Sequence, residues 1–248
     1  GLRPPRIESL DMEMKGLPKT LDGTKIVVMS DWHAGEMMIG GAWLQARIDQ
    51  AMSLKPDLIL LVGDLFERGS GAKEMVPPLS RLKAPLGVWA VRGNHDSLRP
   101  GGPDRSGDII RTAGVKLLEN ERVEITPGLI LAGIDDLTRS SRTPGEGLAN
   151  LSKALSGKSA TSTILLSHTP WLVDEAASSG VDLMLSGHTH NGQVWPFNYL
   201  VKLRYPFVTG RHNIRGMTLL VSRGTGTWGP RMRLWQPGEI TCITLRSR

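Results

Sequence analysis

Side chains that can bind metal ions recur in a series of short turns along this sequence. Each turn follows a run of apolar residues, and several contain glycine. The metal-capable residues are Asp31 and His33, Asp64, Asn94 with His95 and Asp96, His168, and His188 with His190. Imidazole, carboxylate and amide donors of this kind suit Mn, Fe, Zn or Ni, and nothing in the set selects one of these metals. The pattern therefore predicts a functional metal site.

The distribution of histidine strengthens this prediction. The chain has six histidines, and five of them lie in these turns. The sixth, His212, lies outside the motifs, and we expect it to be a surface residue. A lone histidine after a strand is more often structural, but five turns that each present a possible ligand are hard to explain in that way.

Short elements on either side of the turns are predicted to position these side chains. Seven apolar runs bounded by turn residues predict buried strands at 26–30, 58–62, 88–91, 129–134, 164–167, 183–186 and 218–222. Apolar residues at helical spacing between Trp43 and Met52 predict a helix. A second short helix is predicted at 174–179 and a closing strand at 239–245. Strands that alternate with helices indicate a layered α/β domain, which holds ligands in the loops after its strands. No boundary is evident, so we expect a single domain over 1–248.

Composition excludes several classes of protein. Hydrophobic residues make up 40% and charged residues 22% of the chain, which excludes wholesale disorder. One cysteine, Cys242, excludes an internal disulfide framework and a cysteine-rich zinc site. No run reaches the roughly 18 uninterrupted apolar residues of a membrane-spanning helix. Because the chain begins at Gly1 rather than Met, we expect a trimmed or processed form. Localisation is left open between membrane-associated, cytoplasmic and, with an upstream signal removed, exported.

Positive charge is concentrated at the C-terminal end. Residues 191–248 contain nine Lys or Arg and a single acid, Glu239, for a net charge of +8, so the other 190 residues sum to −2. A basic region of this kind suits an anionic substrate, an acidic membrane surface or nucleic acid, and is also typical of a solvated basic face.

The ordered set DxH, GD, GNHD, H and GHTH, from Asp31 to His190, resembles the signature of the calcineurin-like metallophosphoesterases. The stretch GHTHNGQ at 187–193, the turn at 133–136 and the stretch at 222–226 also resemble one subgroup. That subgroup contains bacterial phosphodiesterases that are often membrane-anchored or exported, and related lipid-linked pyrophosphatases. The resemblance implies an α/β fold in which a two-sheet sandwich is flanked by helices and the metals lie above the strand ends.

The resemblance also implies how two divalent metal ions are held. Asp31, His33, Asp64 and His190 would bind one ion, and Asp64 would bridge to a second ion held by Asn94, His168 and His188. A carboxylate can span ions about 3.5–4 Å apart, the separation used by two-metal hydrolases. The implied reaction is attack of a metal-bridging hydroxide on a phosphodiester or pyrophosphate.

Two further residues of the GNHD motif receive catalytic roles from the resemblance. His95 is expected to donate a proton to the leaving oxygen or to stabilise charge there. Asp96 is expected to orient the His95 imidazole through its other nitrogen. The alternative for Asp96 is a carboxylate that caps the turn.

Two apolar segments are candidates for substrate recognition. Residues 195–207 hold five of the twelve aromatic residues, with Lys202 and Arg204 among them. The second candidate is the cluster Met37, Met38, Ile39 and Trp43, which follows Glu36. We expect a pair of apolar loops beside the metals, with Lys202, Arg204 and Arg211 facing anionic head groups of a membrane or an acyl-bearing substrate. Ordinary packing of a long loop is the alternative.

Three other functions remain open at this point. A nuclease would share the motifs and suit the basic region, but the aromatics cluster with prolines and aliphatics rather than along a basic groove. Nucleic acid is therefore the less favoured partner, behind a lipid-linked or nucleotide phosphate ester. A phosphomonoesterase would use the same ions. A non-catalytic scaffold is the least favoured, because all seven ligand positions and His95 are present.

Overall fold

The computed structural model describes residues 3–35, 40–67, 72–96, 104–140, 143, 145–157 and 162–248. Twelve strands in these residues form two six-stranded sheets. In spatial order, the first sheet contains β1 (Arg6–Met14), β12 (Glu239–Ser247), β2 (Lys25–Met29), β3 (Leu58–Val62), β4 (Val88–Val91) and β5 (Lys116–Leu117). The second contains β10 (Gly210–Ile214), β11 (Met217–Val221), β9 (Leu183–Ser186), β8 (Ser162–Leu166), β7 (Leu129–Gly133) and β6 (Glu121–Thr126).

Both sheets are mixed, with a parallel centre. Strands β2 to β5 run parallel to one another, as do β7, β8, β9 and β11. The antiparallel pairs are β12 with β2, β6 with β7 and β10 with β11. The carboxyl ends of the central strands therefore lie at one edge of each sheet, where an α/β fold can hold a ligand.

The helices are distributed along the whole chain. They are α1 (Gly41–Met52), α2 (Val76–Leu79), α3 (Arg105–Thr112), α4 (Leu137–Ser140), α5 (Glu146–Leu155), α6 (Val173–Ser178) and α7 (Phe197–Arg204). No helix among the described residues combines the length and the apolar character required to cross a bilayer.

Successive side chains of a central strand point to opposite faces of its sheet, and both faces are buried, so these strands are apolar throughout. Ile26 and Val28 of β2 pack into the core between the sheets, together with Leu166 and Leu183 of the second sheet. Val27 of the same strand points the other way, into the layer that contains α1. A third cluster packs α5 and α6 against the outer face of the second sheet. The predicted class, an α/β two-sheet sandwich flanked by helices, is confirmed.

Two expectations about loops have a different outcome. The segment 195–207, predicted to be a loop, contains α7, and none of the residues of this helix is buried. The second expected apolar loop, with Glu36, Met37, Met38 and Ile39, lies outside the described residues, while Trp43 lies on α1 and packs partly against the core.

Candidate metal centre

The seven predicted metal ligands come from both sheets. Four follow strands of the first sheet: Asp31 and His33 follow β2, Asp64 follows β3, and Asn94 follows β4. The other three follow strands of the second sheet: His168 follows β8, and His188 and His190 follow β9. The structure thus brings residues that are remote in sequence to one edge of the sandwich. His33 and His190, for example, lie within hydrogen-bonding range although they are 157 positions apart.

The first group of possible ligands contains Asp31, His33 and His190, all of them buried. The Nε2 atom of His190 lies 3.3 Å from Oδ1 of Asp31 and 3.2 Å from Nε2 of His33. Their ligand atoms all lie within 4.8 Å of one another, which is close enough to surround one ion.

The second group contains Asp64, His168 and His188. Nε2 of His168 lies 3.2 Å from Oδ2 of Asp64 and 3.2 Å from Nδ1 of His188. The same Asp64 oxygen lies 3.6 Å from Nε2 of His33 in the first group. Asp64 therefore stands between the two groups, as a carboxylate that bridges two ions must. Asn94 lies near this group, since it lines one cavity together with Asp64 and His188.

Hydrogen bonds to the far ring nitrogen orient three of the imidazoles. His33 Nδ1 contacts the Glu67 carboxylate at 3.1 Å, and His168 Nδ1 contacts the carbonyl oxygen of Val62 at 2.8 Å. Both partners accept, so each Nδ1 carries the proton and Nε2 offers its lone pair to the cluster. His188 is reversed: Nε2 contacts the Tyr205 hydroxyl at 2.7 Å, and Nδ1 faces His168.

His190 does not follow this pattern. Its Nδ1 atom lies 3.3 Å from Nη2 of Arg233, which can only donate a hydrogen bond. The other ring nitrogen, Nε2, lies 3.3 Å from Oδ1 of Asp31 and is the atom that would meet an ion held by the first group.

The histidine outside the motifs has a structural setting. His212 is half-buried on the edge strand β10, where its Nε2 atom contacts the carbonyl oxygen of Thr209 at 3.0 Å and its ring packs against Phe207. It is thus less exposed than the surface position expected from the sequence.

The electrostatics of the cluster suit divalent cations. Burial raises the pKa of the Asp31 carboxyl, but His190 outweighs burial and holds this pKa well below its usual range. Burial also raises the pKa of Asp64, but His168 lowers it, and the pKa of Asp64 is lowered as a result. Two buried carboxylates that remain ionised need positive charge beside them. The residues present therefore fit divalent metal ions, held by carboxylate oxygens and by imidazole nitrogens whose orientation is already set.

The backbone turns the ligands back over the sheet edge. Asp31, His33, Asp64, His188 and His190 all have positive φ values, between 50° and 72°. This left-handed conformation is uncommon for residues other than glycine and costs roughly 1–3 kcal/mol for each residue. Such strain persists only where the surrounding structure enforces it, and it is typical of functional sites.

The glycines of the motifs act mainly by leaving room for atoms of neighbouring turns to approach them closely. Gly63 has the positive φ expected of a tight turn, at 79°. Gly93 and Gly187 do not, but a Cβ atom on Gly93 would lie 2.1 Å from Oδ1 of Asp64, and one on Gly187 would lie 2.4 Å from Oδ2 of Asp31. These two glycines let the predicted metal-binding carboxylates pack directly against neighbouring turns.

The orienting residue for His95 differs from the sequence prediction. His95 Nδ1 contacts Oε1 of Glu67 at 2.7 Å. The oxygens of Asp96 instead accept hydrogen bonds from the backbone N–H groups of Leu65, Phe66 and Gly93, at 2.9–3.1 Å. The predicted contact of Asp96 with the imidazole is thus corrected: Asp96 caps the turns after β3 and β4, and Glu67 orients the ring. Burial raises the pKa of Asp96 to about 6.

Glu67 contacts two histidines at once, one through each carboxylate oxygen. Burial raises its pKa, but the hydrogen bonds with His33 and His95 lower it to about 2, so Glu67 is an ionised acceptor at neutral pH. His95 is also close to the cluster, since its ligand-capable atom lies within 4.8 Å of those of His33 and Asp64. The signal for Glu67 in the sequence is a third-position carboxylate after Asp64, in the same turn.

A cavity of about 380 Å³ opens above the cluster. The residues that line it fall into two sets. We call one the floor, with His33, Asp64, Asn94, His95 and both histidines of the GHTH motif, and the other the wall, with Phe197, Val201, Tyr205 and Trp228. The wall combines α7 and the residue that follows it with a segment near the C-terminus, and its signals in the sequence are the aromatic content of 195–207 and the fourth-position spacing of Phe197, Val201 and Tyr205.

Sequence reasoning also missed Arg233. Its side chain donates to the carbonyl oxygens of Arg223, Gly224 and Gly226 at 2.7–3.2 Å. Burial lowers its pKa to about 10. Arg233 thus fixes the 222–226 segment. This segment packs closely against the turn after β2, because a Cβ on Gly226 would lie 2.3 Å from the carbonyl oxygen of Trp32.

Comparison with known proteins gives consistent results. The family model "Calcineurin-like phosphoesterase" matches residues 24–192. A "Transmembrane protein with metallophosphoesterase domain" from Danio rerio is 34% identical over 258 residues, covering 98% of this chain and 58% of the relative. An "Uncharacterized metallophosphoesterase" from Aquifex aeolicus is 33% identical over 251 residues, covering 98% of this chain and 92% of the relative.

Solved structures support the fold. The phosphopantetheinyl hydrolase from Mycobacterium tuberculosis superposes with a TM-score of 0.51 at 15% identity, covering 81% of this chain and 89% of that one. The chain spans only 58% to 65% of the length of several curated relatives that it matches, including those from Danio rerio and Campylobacter jejuni.

Proposed function

The chain belongs to the calcineurin-like phosphoesterase family, and on this basis we propose that it is a two-metal phosphoesterase that hydrolyses phosphodiester or pyrophosphate bonds. The observation that carries the proposal is the pair of ligand groups, joined through Asp64, on the floor of an open cavity. We also assign the chain to the subgroup of membrane-associated or exported bacterial phosphodiesterases, on the stretch GHTHNGQ at 187–193.

The proposed ligand set is the one expected from the sequence. Asp31, His33, Asp64 and His190 would hold one ion, and Asp64, Asn94, His168 and His188 the other. Bound there, two divalent ions would activate water and neutralise the oxygens of the phosphoryl group.

The protein side chains then have distinct tasks. Glu67 accepts a hydrogen bond from Nδ1–H of His95. In the imidazolium form of the ring, Nε2 carries the second proton and donates it to the leaving oxygen, while Nδ1–H stays bonded to Glu67. The backbone N–H of His95 donates to Oδ1 of Asp64 at 2.8 Å, so the proton donor and the bridging carboxylate are held together. Asp96 supports both through the turns that it caps.

The cavity wall favours a diester or pyrophosphate over a monoester. A phosphoryl group on the floor fills only part of about 380 Å³, and the remaining volume is bordered by Phe197, Val201 and Trp228. A diester keeps one organic substituent on phosphorus that can pack against this wall while the other leaves, whereas the only organic substituent of a monoester is the leaving group. Lipid-linked and nucleotide esters both have a substituent of this kind.

The test is hydrolysis of bis(p-nitrophenyl) phosphate and of p-nitrophenyl phosphate after chelation and re-addition of Mn²⁺. We expect cleavage to require the metal and the ratio of kcat/KM to favour the diester. Preference for the monoester would contradict the diester assignment, and single-stranded DNA as a better substrate would favour a nuclease. Fewer than one metal ion per chain after reconstitution would overturn the proposal.

A further inference from the structure

A band of exposed hydrophobic side chains borders the cavity. Among the described residues, nine of the eleven large hydrophobic side chains that are exposed lie between positions 195 and 235. We define the apolar rim by six of them: Trp195, Leu200, Leu203, Trp228, Met232 and Trp235. Single exposed hydrophobic residues are normal on a protein surface, but a concentration of them marks an interaction site.

Backbone and ring contacts hold the three tryptophans of the rim in place. The backbone N–H of Trp195 donates to the carbonyl oxygen of Leu234 at 3.2 Å, and the rings of Trp195 and Trp235 lie 5.2 Å apart. Gln193 fixes the far end, because its side chain accepts from the backbone of Trp228 at 2.7 Å and donates to the carbonyl oxygen of the same residue at 2.8 Å. The rim is therefore held beside the GHTH turn.

Helix α7 connects the rim to the interior of the cavity. Phe197, Val201 and Tyr205 recur at every fourth position and line the cavity. Leu200 and Leu203 lie on a different face of the helix, and 85% of the surface of Leu203 is exposed. An apolar chain that leaves the cavity along the face with Phe197 and Val201 would therefore next meet the exposed face with Leu200 and Leu203.

The charge within the chain segment that carries the rim has one sign. No Asp or Glu occurs between residues 194 and 238, while Lys202, Arg204 and Arg231 are exposed among the apolar side chains. Tryptophan beside Lys or Arg is typical of segments that lie in the interfacial region of a bilayer. Two copies of this surface facing each other would bring like charges together, so the charge opposes a dimer through the rim.

We propose that the apolar rim docks the protein on an anionic lipid bilayer and presents the cavity to amphiphilic phosphate esters in that bilayer. The substrate part of this inference rests on the proposed phosphoesterase function. The phosphate reaches the metal ligands while the acyl part stays against α7 and in the lipid. Lys202, Arg204 and Arg231 face the anionic head groups.

Flotation with lipid vesicles tests the docking without reference to activity. The 248-residue protein is mixed with vesicles of phosphatidylcholine alone, or with about one third phosphatidylglycerol. We expect binding to the anionic vesicles that weakens with added salt, and about tenfold weaker binding for Leu203→Ser or Trp235→Ser. For Lys202→Gln we expect about fivefold weaker binding. Leu148→Ser is the matched control, since Leu148 lies on α5 and is 49% exposed.

Activity assays separate the two proposals. Leu203→Ser should hydrolyse a water-soluble diester as the parent does, but should lose about tenfold on the same ester carried in anionic vesicles. Absence of activity on both esters in the metal-loaded parent protein, with vesicle binding intact, would refute the enzyme assignment and leave docking in place. The docking proposal is refuted if the parent does not float, if Leu148→Ser weakens flotation as much as Leu203→Ser, or if Leu203→Ser only abolishes a dimer.

Discussion

Glu67 connects the predicted metal ligands to the predicted proton donor. One of its oxygens contacts Nδ1 of His33 and the other contacts Nδ1 of His95. Because an ionised carboxylate only accepts hydrogen bonds, Nδ1 of each ring must carry a proton, and Nε2 is the nitrogen directed away from Glu67. A single acidic residue therefore sets the chemistry available to two histidines.

Replacement of His95 by Asn tests the proton-donor assignment. We expect metal content to stay as in the parent, while kcat for an ester with a poor leaving group falls by about 10²- to 10⁴-fold. The loss should be smaller for a p-nitrophenyl ester, because its leaving group needs no proton. Metal analysis and kinetics on both esters provide the readout, and equal losses on the two would remove His95 from the acid role.

Glu67→Gln tests the orienting role. The amide can present an acceptor to only one of the two Nδ1–H groups, so one ring must lose its partner or change tautomer. We expect metal affinity or activity to fall by about 10- to 100-fold. Glu74→Gln, at an exposed position in the chain segment before α2, is the control and should change neither. A parent-like titration with Mn²⁺ together with parent-like activity would contradict the role.

At the scale of elements, close approach between turns decides the geometry. The turns after β2, β3, β4 and β9 interlock, so that a side chain on one occupies space directly above a glycine of another. Well-packed interiors tolerate added atoms poorly, and the neighbours here are carboxylates and backbone rather than flexible side chains.

Gly187→Ala is therefore predicted to disturb the site. The added methyl would meet Oδ2 of Asp31 at 2.4 Å and the Ser30 side chain at 2.9 Å, and must displace one of them. We expect a loss of about 1–3 kcal/mol in the free energy of unfolding and weaker metal binding. In the control, Gly41→Ala, the nearest atom is 3.9 Å away, and stability should not fall. Urea denaturation and metal titration of both variants check this.

At the scale of the whole molecule, the site belongs to neither sheet alone. Asp31 and Asp64 come from the first sheet, and His168 and His190 from the second. The core between the sheets, which includes Leu60 and Leu166, holds the two sets of ligands in register. We therefore expect metal binding and the packing of the sheets to be linked.

Chelation should therefore lower stability while unfolding remains a single transition, as expected of one domain. A metal at a hundredfold excess over its Kd contributes about 2.7 kcal/mol, which corresponds to roughly 5–10 °C in Tm at this chain length. Calorimetry with EDTA and with restored Mn²⁺ measures the shift. Two separate transitions in the absence of metal would contradict the single-domain expectation, and no shift would contradict metal binding at the interface of the sheets.

The sequence alone was sufficient for the fold class and for the set of side chains that now lie together. Apolar runs such as Leu58–Val62 predict buried strands because burial on both faces requires continuous hydrophobicity, and a ligand that directly follows such a strand must lie at its carboxyl end. These are local properties, and neighbouring residues determine them.

Only the tertiary structure decided which groups contact the ligands. Asp96 is adjacent to His95 in sequence, but its carboxylate is satisfied by three backbone N–H groups, and Glu67 reaches the ring from 28 residues away. Helix α7 forms without burying a residue, so the fourth-position spacing of Phe197, Val201 and Tyr205 serves the cavity rather than the core. Hydrogen-bond partners and exposed surfaces depend on distances between segments remote in sequence, and these distances are fixed only when the sheets pack.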